Sequence, residues 1–414
     1  MSSACDVLIV GAGPAGATAA RTLALAGARV RMLDRARFPR NKPCGGAISM
    51  RALGRFPYLS GGLQQISTRL ISRLHLESPA GEMVQLQSSQ PAALMIRRVE
   101  FDALLVRLAQ EAGAELVEGA EITQVSESRD DVTLIRRDGV CFKAPLVIAA
   151  DGANSVVARR LALNPGWSAS SVALDMMEET PFDSLNCADP DLLWVAYGYK
   201  GSPGYAYVFP KRTHVNVGIG YVLEHYRRAV EEAPYTLQRQ FVGALSRARV
   251  LDGASERRNF TPALIPVGGP LKRTASQRVL LAGDAGGFVN GFTAEGIYYG
   301  MVSGDLAGRA LAGGSTAVFE RAWRREIGAE LRDSVRVQRF LFRHPARIDG
   351  MVRGARLHPD LAQTVVDYAQ GRRSYRAARR RLLRRFPSLA IRILFDIPQK
   401  DAIWHNSSPP LRTS

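Results

Sequence analysis

Three glycines and one carboxylate near the start of the chain have the types and spacing that bind a pyrophosphate. Gly11, Gly13 and Gly16 follow the apolar run 7–10, and Asp34 comes about 20 residues later. The first glycine allows a tight turn, the second leaves room for phosphate, and the third lets a helix pack close to its strand. The free N–H groups at the start of that helix suit phosphate, and the acid suits a ribose hydroxyl. The pattern predicts a dinucleotide site; the alternative is a glycine turn in an unrelated α/β protein.

A second motif follows another apolar run far along the chain. Gly283 and Asp284 come directly after the run 279–282, and the segment 291–297 opens a helix that we expect to end near Leu311. Amides at that helix start suit negative charge on a ligand, and a reduced flavin carries such charge on its pyrimidine edge. Together, the two motifs predict a flavin dinucleotide site and a redox enzyme.

A loop at residues 38–47, with two prolines and two glycines, carries Cys44. Small neighbours would let its thiol approach a planar ligand, and the alternative is an inert, small apolar residue. Cys5, Cys141 and Cys187 lie far from it and form no CxxC pair. We therefore expect no metal site, no iron–sulfur centre and no disulfide framework, and a reducing cytoplasmic setting.

Two further polar positions lie where strands or helices are expected to end or begin. Arg98 precedes a predicted helix from Phe101 to about Ala112 and is either a phosphate ligand or an ordinary surface arginine. Asp151 and Gly152 end a buried run, and the carboxyl edge of a parallel sheet faces the ligand. Both positions are candidates for cofactor contacts.

An aromatic segment near residue 207 is a candidate substrate wall. Tyr205, Tyr207 and Phe209 share one face if the segment is a strand, because strand side chains alternate. Spacing alone leaves two interpretations open, an apolar pocket lining and a plain sheet core. The candidate substrate residues of this segment and of the strand after it are Tyr205, Tyr207, Phe209, Pro210, Gly218 and Gly220.

The pattern of elements predicts an α/β protein that has a Rossmann-like FAD-binding domain, an inserted antiparallel β-sheet substrate domain and a C-terminal helical region. Helical periodicity fades between residues 166 and 255, where alternating segments favour an antiparallel sheet, and residues 60–95 are expected to add strands to it. The predicted boundaries are 1–165 for the first part of the FAD-binding domain, 166–255 for the substrate domain, 256–315 for the second FAD part and 316–414 for a basic helical region.

The net charge of +17 suggests either an anionic partner or a solvated basic face. Eight arginines and no acid lie in residues 372–385, and apolar residues interleave with arginines between 382 and 395. This favours either a packed cap or an interfacial helix on an anionic membrane. We expect no spanning helix, no signal peptide and no nucleic-acid partner, and a cytoplasmic protein, with the periphery of the inner membrane face as a second location.

With these motifs in place, the chain resembles the geranylgeranyl reductase family of flavoproteins, which have the p-hydroxybenzoate hydroxylase-like fold. The most specific likeness is the loop of Pro39, Arg40, Lys42, Pro43, Cys44, Gly45 and Gly46. A YxWxFP segment followed by GxG, here Gly218 and Gly220, is also shared, with Tyr207 in place of the usual tryptophan. The motifs and the resemblance together imply these FAD contacts: Gly11, Gly13, Pro14, Ala15, Gly16, Asp34, Arg35, Cys44, Gly45, Gly46, Ala47, Arg98, Ile122, Asp151, Gly152, Gly283, Asp284, Gly291, Glu295, Gly296 and Ile297.

The resemblance implies an FAD-dependent enzyme that reduces carbon–carbon double bonds of an isoprenoid chain, with NADPH or another reductant as a transient electron donor. Cys44 is then a candidate proton donor or flavin-orienting group. A flavin monooxygenase or halogenase acting on an aromatic metabolite is the main alternative. An iron–sulfur quinone oxidoreductase and a basic nucleic-acid-binding protein are weaker ones.

Overall fold

The computed structural model describes residues 5–201 and 203–369, and the single residues Arg372, Ala377, Arg380, Arg381 and Arg384. Of the basic helical region predicted for residues 316–414, the part after residue 369 therefore lies almost entirely outside the described residues. Within them, no helix has both the length and the apolar character needed to cross a bilayer.

The chain divides into two compact units, each built from three separate segments. The first unit holds residues 1–42, 98–172 and 265–335, and the second holds 43–97, 173–264 and 336–414. The strands, in chain order, are β1 Val7–Val10, β2 Val30–Asp34, β3 Ala47–Ser49, β4 Thr68–Ile71, β5 Arg73–Glu77, β6 Met83–Gln87, β7 Ala93–Ile96, β8 Glu115–Glu118, β9 Ile122–Glu127, β10 Val132–Arg136, β11 Cys141–Ala144, β12 Leu146–Ala149, β13 Ala173–Pro181, β14 Leu185–Cys187, β15 Leu192–Tyr197, β16 Gly204–Pro210, β17 His214–Val222, β18 Leu251–Gly253, β19 Phe260–Ile265 and β20 Val279–Leu281.

The helices connect these strands or cover their sheets. In chain order they are α1 Pro14–Leu25, α2 Arg51–Arg55, α3 Leu59–Leu63, α4 Arg98–Glu111, α5 Val156–Arg160, α6 Leu223–Ala229, α7 Pro234–Arg247, α8 Ile297–Ala312, α9 Thr316–Trp323, α10 Ala329–Arg343, α11 Pro345–Leu357 and α12 Pro359–Ala369.

The first unit is a Rossmann-like layer around a five-stranded parallel sheet, in the order β20-β12-β1-β2-β8. Its central strands are apolar throughout because both faces are covered. One core lies between this sheet and the antiparallel sheet β11-β10-β9. On the other face, α1 packs against α4 and α8. This is the predicted FAD-binding architecture.

The second unit contains a seven-stranded sheet in the order β19-β13-β17-β16-β15-β5-β6. Most neighbours are antiparallel, as predicted, and β5 and β15 form one parallel pair. β5 and β6 come from the segment 60–95, which supplies strands to this sheet. One face of the sheet buries an apolar core under α7.

Residues 166–255 contain two helices in addition to the predicted strands. α6 and α7 occupy much of residues 223–247. α7 buries Leu237, Phe241 and Leu245 at spacings of four residues, which is the helical period. The sequence analysis did not predict this helix because the strands on either side of it alternate apolar and polar residues.

Candidate functional site

The ligand-binding edge of the first unit is built from strand ends. β1, β12 and β20 run parallel, so the residues after them meet at one edge of the sheet. Gly11 follows β1, Asp151 lies just after β12, and Gly283 lies just after β20. The motifs found far apart in the sequence thus come together at one edge.

Gly11 and Gly16 are required by the packing of the turn itself. Gly11 has φ of +93°, and a Cβ there would lie 2.3 Å from the Ala150 carbonyl oxygen. A Cβ on Gly16 would lie 1.8 Å from the Gly11 carbonyl oxygen. These distances are too short for any side chain, so both glycines allow α1 to start directly against β1.

Gly13 differs from its neighbours because the space beside it is open. A Cβ there would meet only the Arg40 guanidinium, at 3.5 Å. Gly13 is also the residue before α1, whose first residues are Pro14 and Ala15. Open space in front of a helix N-terminus is the geometry that admits a phosphate group.

Asp34 is fixed at the end of β2 by two backbone amides. Its Oδ2 accepts a hydrogen bond from Ala12 N at 2.8 Å, and its Oδ1 accepts one from Ala36 N at 2.9 Å. The carboxylate is 6% exposed, whereas the next residue, Arg35, is exposed. Asp34 therefore ties the glycine turn to β2 and keeps a carboxylate at the ligand edge.

The structure also brings together two arginines that the sequence did not connect. Arg98 is the first residue of α4. Its guanidinium donates two hydrogen bonds, each 2.7 Å long, to the carboxylate of the buried Asp102. Arg40 Nη1 lies 3.0 Å from the same carboxylate. One buried acid thus pairs with two arginines. One of them, Arg40, lies beside Gly13, where its guanidinium could bind a pyrophosphate, and its Nε also lies 3.9 Å from Asp34 Oδ1.

Arg40 was missed as a site residue because its role depends on a contact with Asp102 more than sixty positions away in the sequence. The available signal was the position of Arg40 in the loop motif that leads to Cys44. That signal is weak in a chain with so many basic residues.

The second motif lies at the start of α8. Gly283 has φ of +60°, its N–H donates to Ser303 Oγ at 2.9 Å, and Gly296 precedes the helix, which begins at Ile297. Asp284 is half-buried, and the described residues give its carboxylate no hydrogen-bond partner. It is available to accept a hydrogen bond from a cofactor hydroxyl.

The contact between α8 and α1 places these two motifs side by side. Gly304 lies so close to α1 that a Cβ would be 2.1 Å from the Ala15 carbonyl oxygen. A Cβ on Gly308 would likewise lie 2.9 Å from Thr22 Cβ. Small residues one helical turn apart let the two helices approach backbone to backbone, which fixes Gly283 next to Ala15.

The structure also places the remaining predicted cofactor residues of the first unit. Asp151 Oδ2 accepts hydrogen bonds from the first amides of α5, at 2.8 and 3.3 Å, and burial raises the pKa of its carboxyl. Gly152 has φ of +83° and open space around it. Gly291 N–H donates to Ser334 Oγ at 2.8 Å, and Ile122 packs in the core. Glu295 is half-buried in the loop before α8.

These features fit FAD. Gly13 provides a space that a Cβ would fill, with a cation at its rim. Asp151 Oδ1 is buried and has no hydrogen-bond partner within the described residues, and Asp284 offers a carboxylate at the same edge. A dinucleotide with phosphates and hydroxyls supplies the partners that this edge lacks.

The second unit presents an aromatic row on the sheet face opposite α7. The rings of Tyr205 and Tyr207 lie 6.0 Å apart, and those of Tyr207 and Phe209 lie 4.4 Å apart. Tyr207 is 4% exposed, whereas Tyr205 and Phe209 are half-buried. Pro210 ends the strand. We call Tyr205, Tyr207 and Phe209 the aromatic wall.

Gly218 on the neighbouring strand β17 explains the orientation of the Tyr207 ring. Gly218 pairs with Tyr207, and a Cβ there would lie 2.4 Å from the Tyr207 hydroxyl oxygen. The ring therefore crosses β17, and its hydroxyl donates to Asp175 on β13 at 3.2 Å. Gly220, by contrast, has only a backbone oxygen within 4 Å of its Cβ position. Burial and the Asp175 charge raise the pKa of Tyr207 well above its ordinary value, so the phenol stays protonated.

The loop that carries Cys44 lies against this wall. A Cβ on Gly45 would be 2.8 Å from Phe209 Cδ2 and 3.7 Å from the Tyr207 ring. Gly46 has φ of +72° and donates its N–H to Cys44 Sγ at 3.4 Å. β3 then begins at Ala47. The predicted cysteine and the predicted aromatic residues thus form one cluster.

An ion network that the sequence did not reveal supports this loop. Lys211 lies two residues after Phe209, is 1% exposed and forms a close ion pair with Glu179. Arg97 Nε binds the same carboxylate at 2.9 Å. A Cβ on Gly46 would lie 2.9 Å from Lys211 Nζ. The network connects β13, β16 and the Cys44 loop.

Comparison with known proteins identifies the family. An FAD-binding domain family matches residues 4–313. The chain is 30% identical over 334 residues to menaquinone reductase of Mycolicibacterium smegmatis, covering 78% of this chain and 80% of that protein. It is 30% identical over 383 residues to digeranylgeranylglycerophospholipid reductase 1 of Methanothermobacter thermautotrophicus, covering 82% and 87%.

A solved structure shows the same fold. A geranylgeranyl bacteriochlorophyll reductase-like protein from Thermoplasma acidophilum superposes with a TM-score of 0.77 at 21% identity, covering 95% of this chain and 99% of that chain. Flavin-dependent halogenases share the fold at lower identity. With the cofactor edge, the family match and the relatives together, the chain belongs to the geranylgeranyl reductase family of FAD-dependent oxidoreductases.

Proposed function

We propose that this enzyme saturates carbon–carbon double bonds of an isoprenoid chain. The observation that carries the proposal is the contact of the Cys44 loop with the aromatic wall at Gly45 and Phe209. An apolar surface with a thiol at its end suits a hydrocarbon chain that must receive a proton. The names of the relatives, which include prenyl-lipid and menaquinone reductases, support the same substrate class.

Reduced FAD supplies the hydride when it is bound. An isolated alkene accepts hydride poorly, so a proton must reach one carbon while positive charge builds on the more substituted carbon. The ring faces of Tyr205 and Phe209 stabilise that charge by about 0.5–2 kcal/mol each. The Cys44 thiol provides the proton, and the half-buried rings exclude water from the substrate. NADPH or another reduced carrier serves as the transient electron donor.

The test is turnover of the purified FAD-loaded enzyme with reductant and a geranylgeranyl substrate, followed by mass spectrometry. Each reduced bond adds two hydrogens to the product mass. Oxygen insertion, or peroxide released on substrate addition, would instead favour a monooxygenase.

Replacing Cys44 by alanine tests the proton-donor role. We expect turnover to fall about 10²–10⁴-fold, the usual contribution of a general acid, with FAD content unchanged. Cys141→Ala is the matched control, because Cys141 is exposed on β11 in the first unit. Unchanged turnover in Cys44→Ala, with bound flavin intact, would remove the thiol from the chemistry.

A further inference from the structure

Asp175 is a buried carboxylate on the sheet face that carries the aromatic wall. It lies on β13 and is 5% exposed. The register places it beside the wall, because Asp175 pairs with Gly220 on β17 and Gly220 pairs with Tyr205 on β16. Residues that pair in this way lie on the same face of a sheet. Burial of a carboxylate costs free energy, so an acid at this position indicates a role beyond packing.

The space between Asp175 and Tyr205 is open because Gly220 has no side chain. Among the described residues, a Cβ on Gly220 would have only the Tyr205 carbonyl oxygen within 4 Å, at 3.8 Å. One pair further along the strands, the Tyr207 ring covers Gly218, so the same space is filled there. The rings of Tyr205 and Tyr207 lie 6.0 Å apart. Two rings and one carboxylate thus border a small depression above Gly220.

The Tyr207 hydroxyl connects the carboxylate to the aromatic wall. It donates to the two oxygens of Asp175, at 3.3 and 3.2 Å. A hydroxyl donor stabilises the ionised form of a carboxylate. Burial, and after it the charge of Asp175, raises the pKa of both Tyr205 and Tyr207 above the ordinary value. Both phenols therefore stay protonated, and the negative charge stays on Asp175.

The Cys44 loop lies against the same rings. A Cβ on Gly45, the residue after Cys44, would lie 3.7 Å from the Tyr207 ring. The charge of a Cys44 thiolate is a further cause that raises the pKa of Tyr205 and Tyr207, so the sulfur lies within electrostatic reach of both. In alkene reduction, the carbon that becomes positive is bonded to the carbon that receives the proton. A site for positive charge must therefore lie close to the proton donor, as this depression does.

We propose that Asp175, held by Tyr207, and the half-buried ring of Tyr205 form a site for positive charge, which holds the substituted alkene carbon while it is cationic. The inference rests on the proposed function and adds a charged group to the aromatic wall. The S–H bond of Cys44 breaks, and the π electrons of the alkene form a C–H bond with its proton, which leaves a thiolate and a positive carbon. That carbon accepts the hydride supplied by reduced FAD, and solvent returns a proton to the thiolate. Asp175 acts by its charge and is a positioning residue.

Binding of a charged substrate analogue tests this site, because aromatic cages bind protonated and quaternary amines. In an aza analogue of farnesol, a protonated tertiary amine replaces the substituted alkene carbon, and the matching dihydro analogue has a neutral carbon there. Both are titrated calorimetrically into the FAD-loaded wild type and into Asp175→Asn, which removes the charge and keeps the shape. We expect the wild type to bind the amine at least about tenfold more tightly than the neutral analogue, and Asp175→Asn to lose this preference. Equal affinity of the wild type for the two ligands, or the same preference in Asp175→Asn, overturns the inference.

Asp252→Asn is the matched control, because Asp252 is exposed on β18 of the same unit. We expect it to keep the full preference for the amine. A loss as large as that of Asp175→Asn would show that removal of any acid weakens amine binding, and it would overturn the inference.

Tyr205→Leu tests the ring, and it still decides on the site if Asp175→Asn does not fold. The change keeps an apolar side chain and removes the aromatic face. The preference for the amine over the neutral analogue should fall by about 2–30-fold, which is the range of one cation–π contact. An unchanged preference overturns the inference.

Kinetics separate failure of the site from failure of the proposed function. Positive charge develops only on the way to the transition state, so Asp175→Asn should lower kcat for a geranylgeranyl substrate at least about tenfold, with KM and FAD content unchanged. A raised KM with unchanged kcat overturns the inference, because it indicates a structural role. If the wild type reduces no prenyl substrate, the proposed reductase activity is wrong, and the preference for the amine still decides on the site.

Discussion

Glycines at the cofactor edge and glycines beside the aromatic wall have different packing roles. In the first unit, helix glycines bring backbone against backbone, as Gly16 of α1 does with Gly11 and Gly304 of α8 does with Ala15. In the second unit, Gly218 and Gly45 make room for aromatic side chains. The glycines of the cofactor edge therefore fit against main chain, which tolerates little change, and those beside the aromatic wall fit against side chains, which can be exchanged. The comparison suggests that substrate preference can vary within this fold while FAD binding stays the same.

The largest expected effect distinguishes Gly16, which packs against backbone, from Gly13, which lies beside open space. Gly16→Ala forces a side chain into the Gly11 carbonyl and should lower the free energy of unfolding by about 3 kcal/mol. Gly13→Ala meets only the Arg40 guanidinium, so the protein should fold normally and lose FAD. Thermal unfolding and the flavin-to-protein ratio measure both outcomes. A folded Gly13→Ala variant that keeps its full FAD content would contradict a phosphate-binding role for the space beside Gly13.

The next prediction compares two glycines of the second unit, Gly218, which lies against the Tyr207 ring, and Gly220, which has space around it. Gly218→Ala displaces the Tyr207 ring and should cost about 1–3 kcal/mol of stability, with FAD retained and turnover reduced. Gly220→Ala meets only a backbone oxygen at 3.8 Å and serves as the control. If the two variants lose equal stability, Gly218 has no special role in seating the ring.

Removing the Tyr207 hydroxyl tests the bond that crosses β17. Tyr207→Phe leaves the 5% exposed Asp175 without this donor, which should lower the free energy of unfolding by about 1–3 kcal/mol. Combining it with Asp175→Asn in a double-mutant cycle isolates the pairwise energy. Denaturant titration of the four proteins gives the result, and strictly additive effects would show that the pair contributes nothing.

The smallest expected effect concerns pH. Burial raises the pKa of Glu178 from 4.5 to about 7 in the folded protein. A group whose folded pKa is raised stabilises the fold below its unfolded pKa, and this contribution is lost as pH rises through the folded value. Wild-type stability should thus fall between pH 5 and 8 relative to Glu178→Gln, by about 1–3 kcal/mol. Parallel pH slopes of the melting temperature in the two proteins would contradict this.

Local motifs were predictable because their parts are neighbours in the chain. The turn after β1 and the acid that ends β2 follow from short-range strand, turn and helix signals, and the structure places them at one sheet edge. The site was less predictable where a contact depends on strand register. That Tyr207 reaches Asp175 follows only from the pairing of β16 with β17 and of β17 with β13. α7 was missed because its apolar stripe lies within a region that alternates like a sheet.

The sequence by itself determined that the chain holds a dinucleotide, that Cys44 sits in a glycine loop and that an aromatic strand follows, because each depends on residues within one turn or one strand. Only the tertiary structure decided that Asp102 brings Arg40 to Gly13, that Gly45 touches Phe209 and that Asp175 lies beside Tyr205. These contacts join segments far apart in the chain, and their geometry is fixed by sheet register and helix packing, which no local pattern encodes.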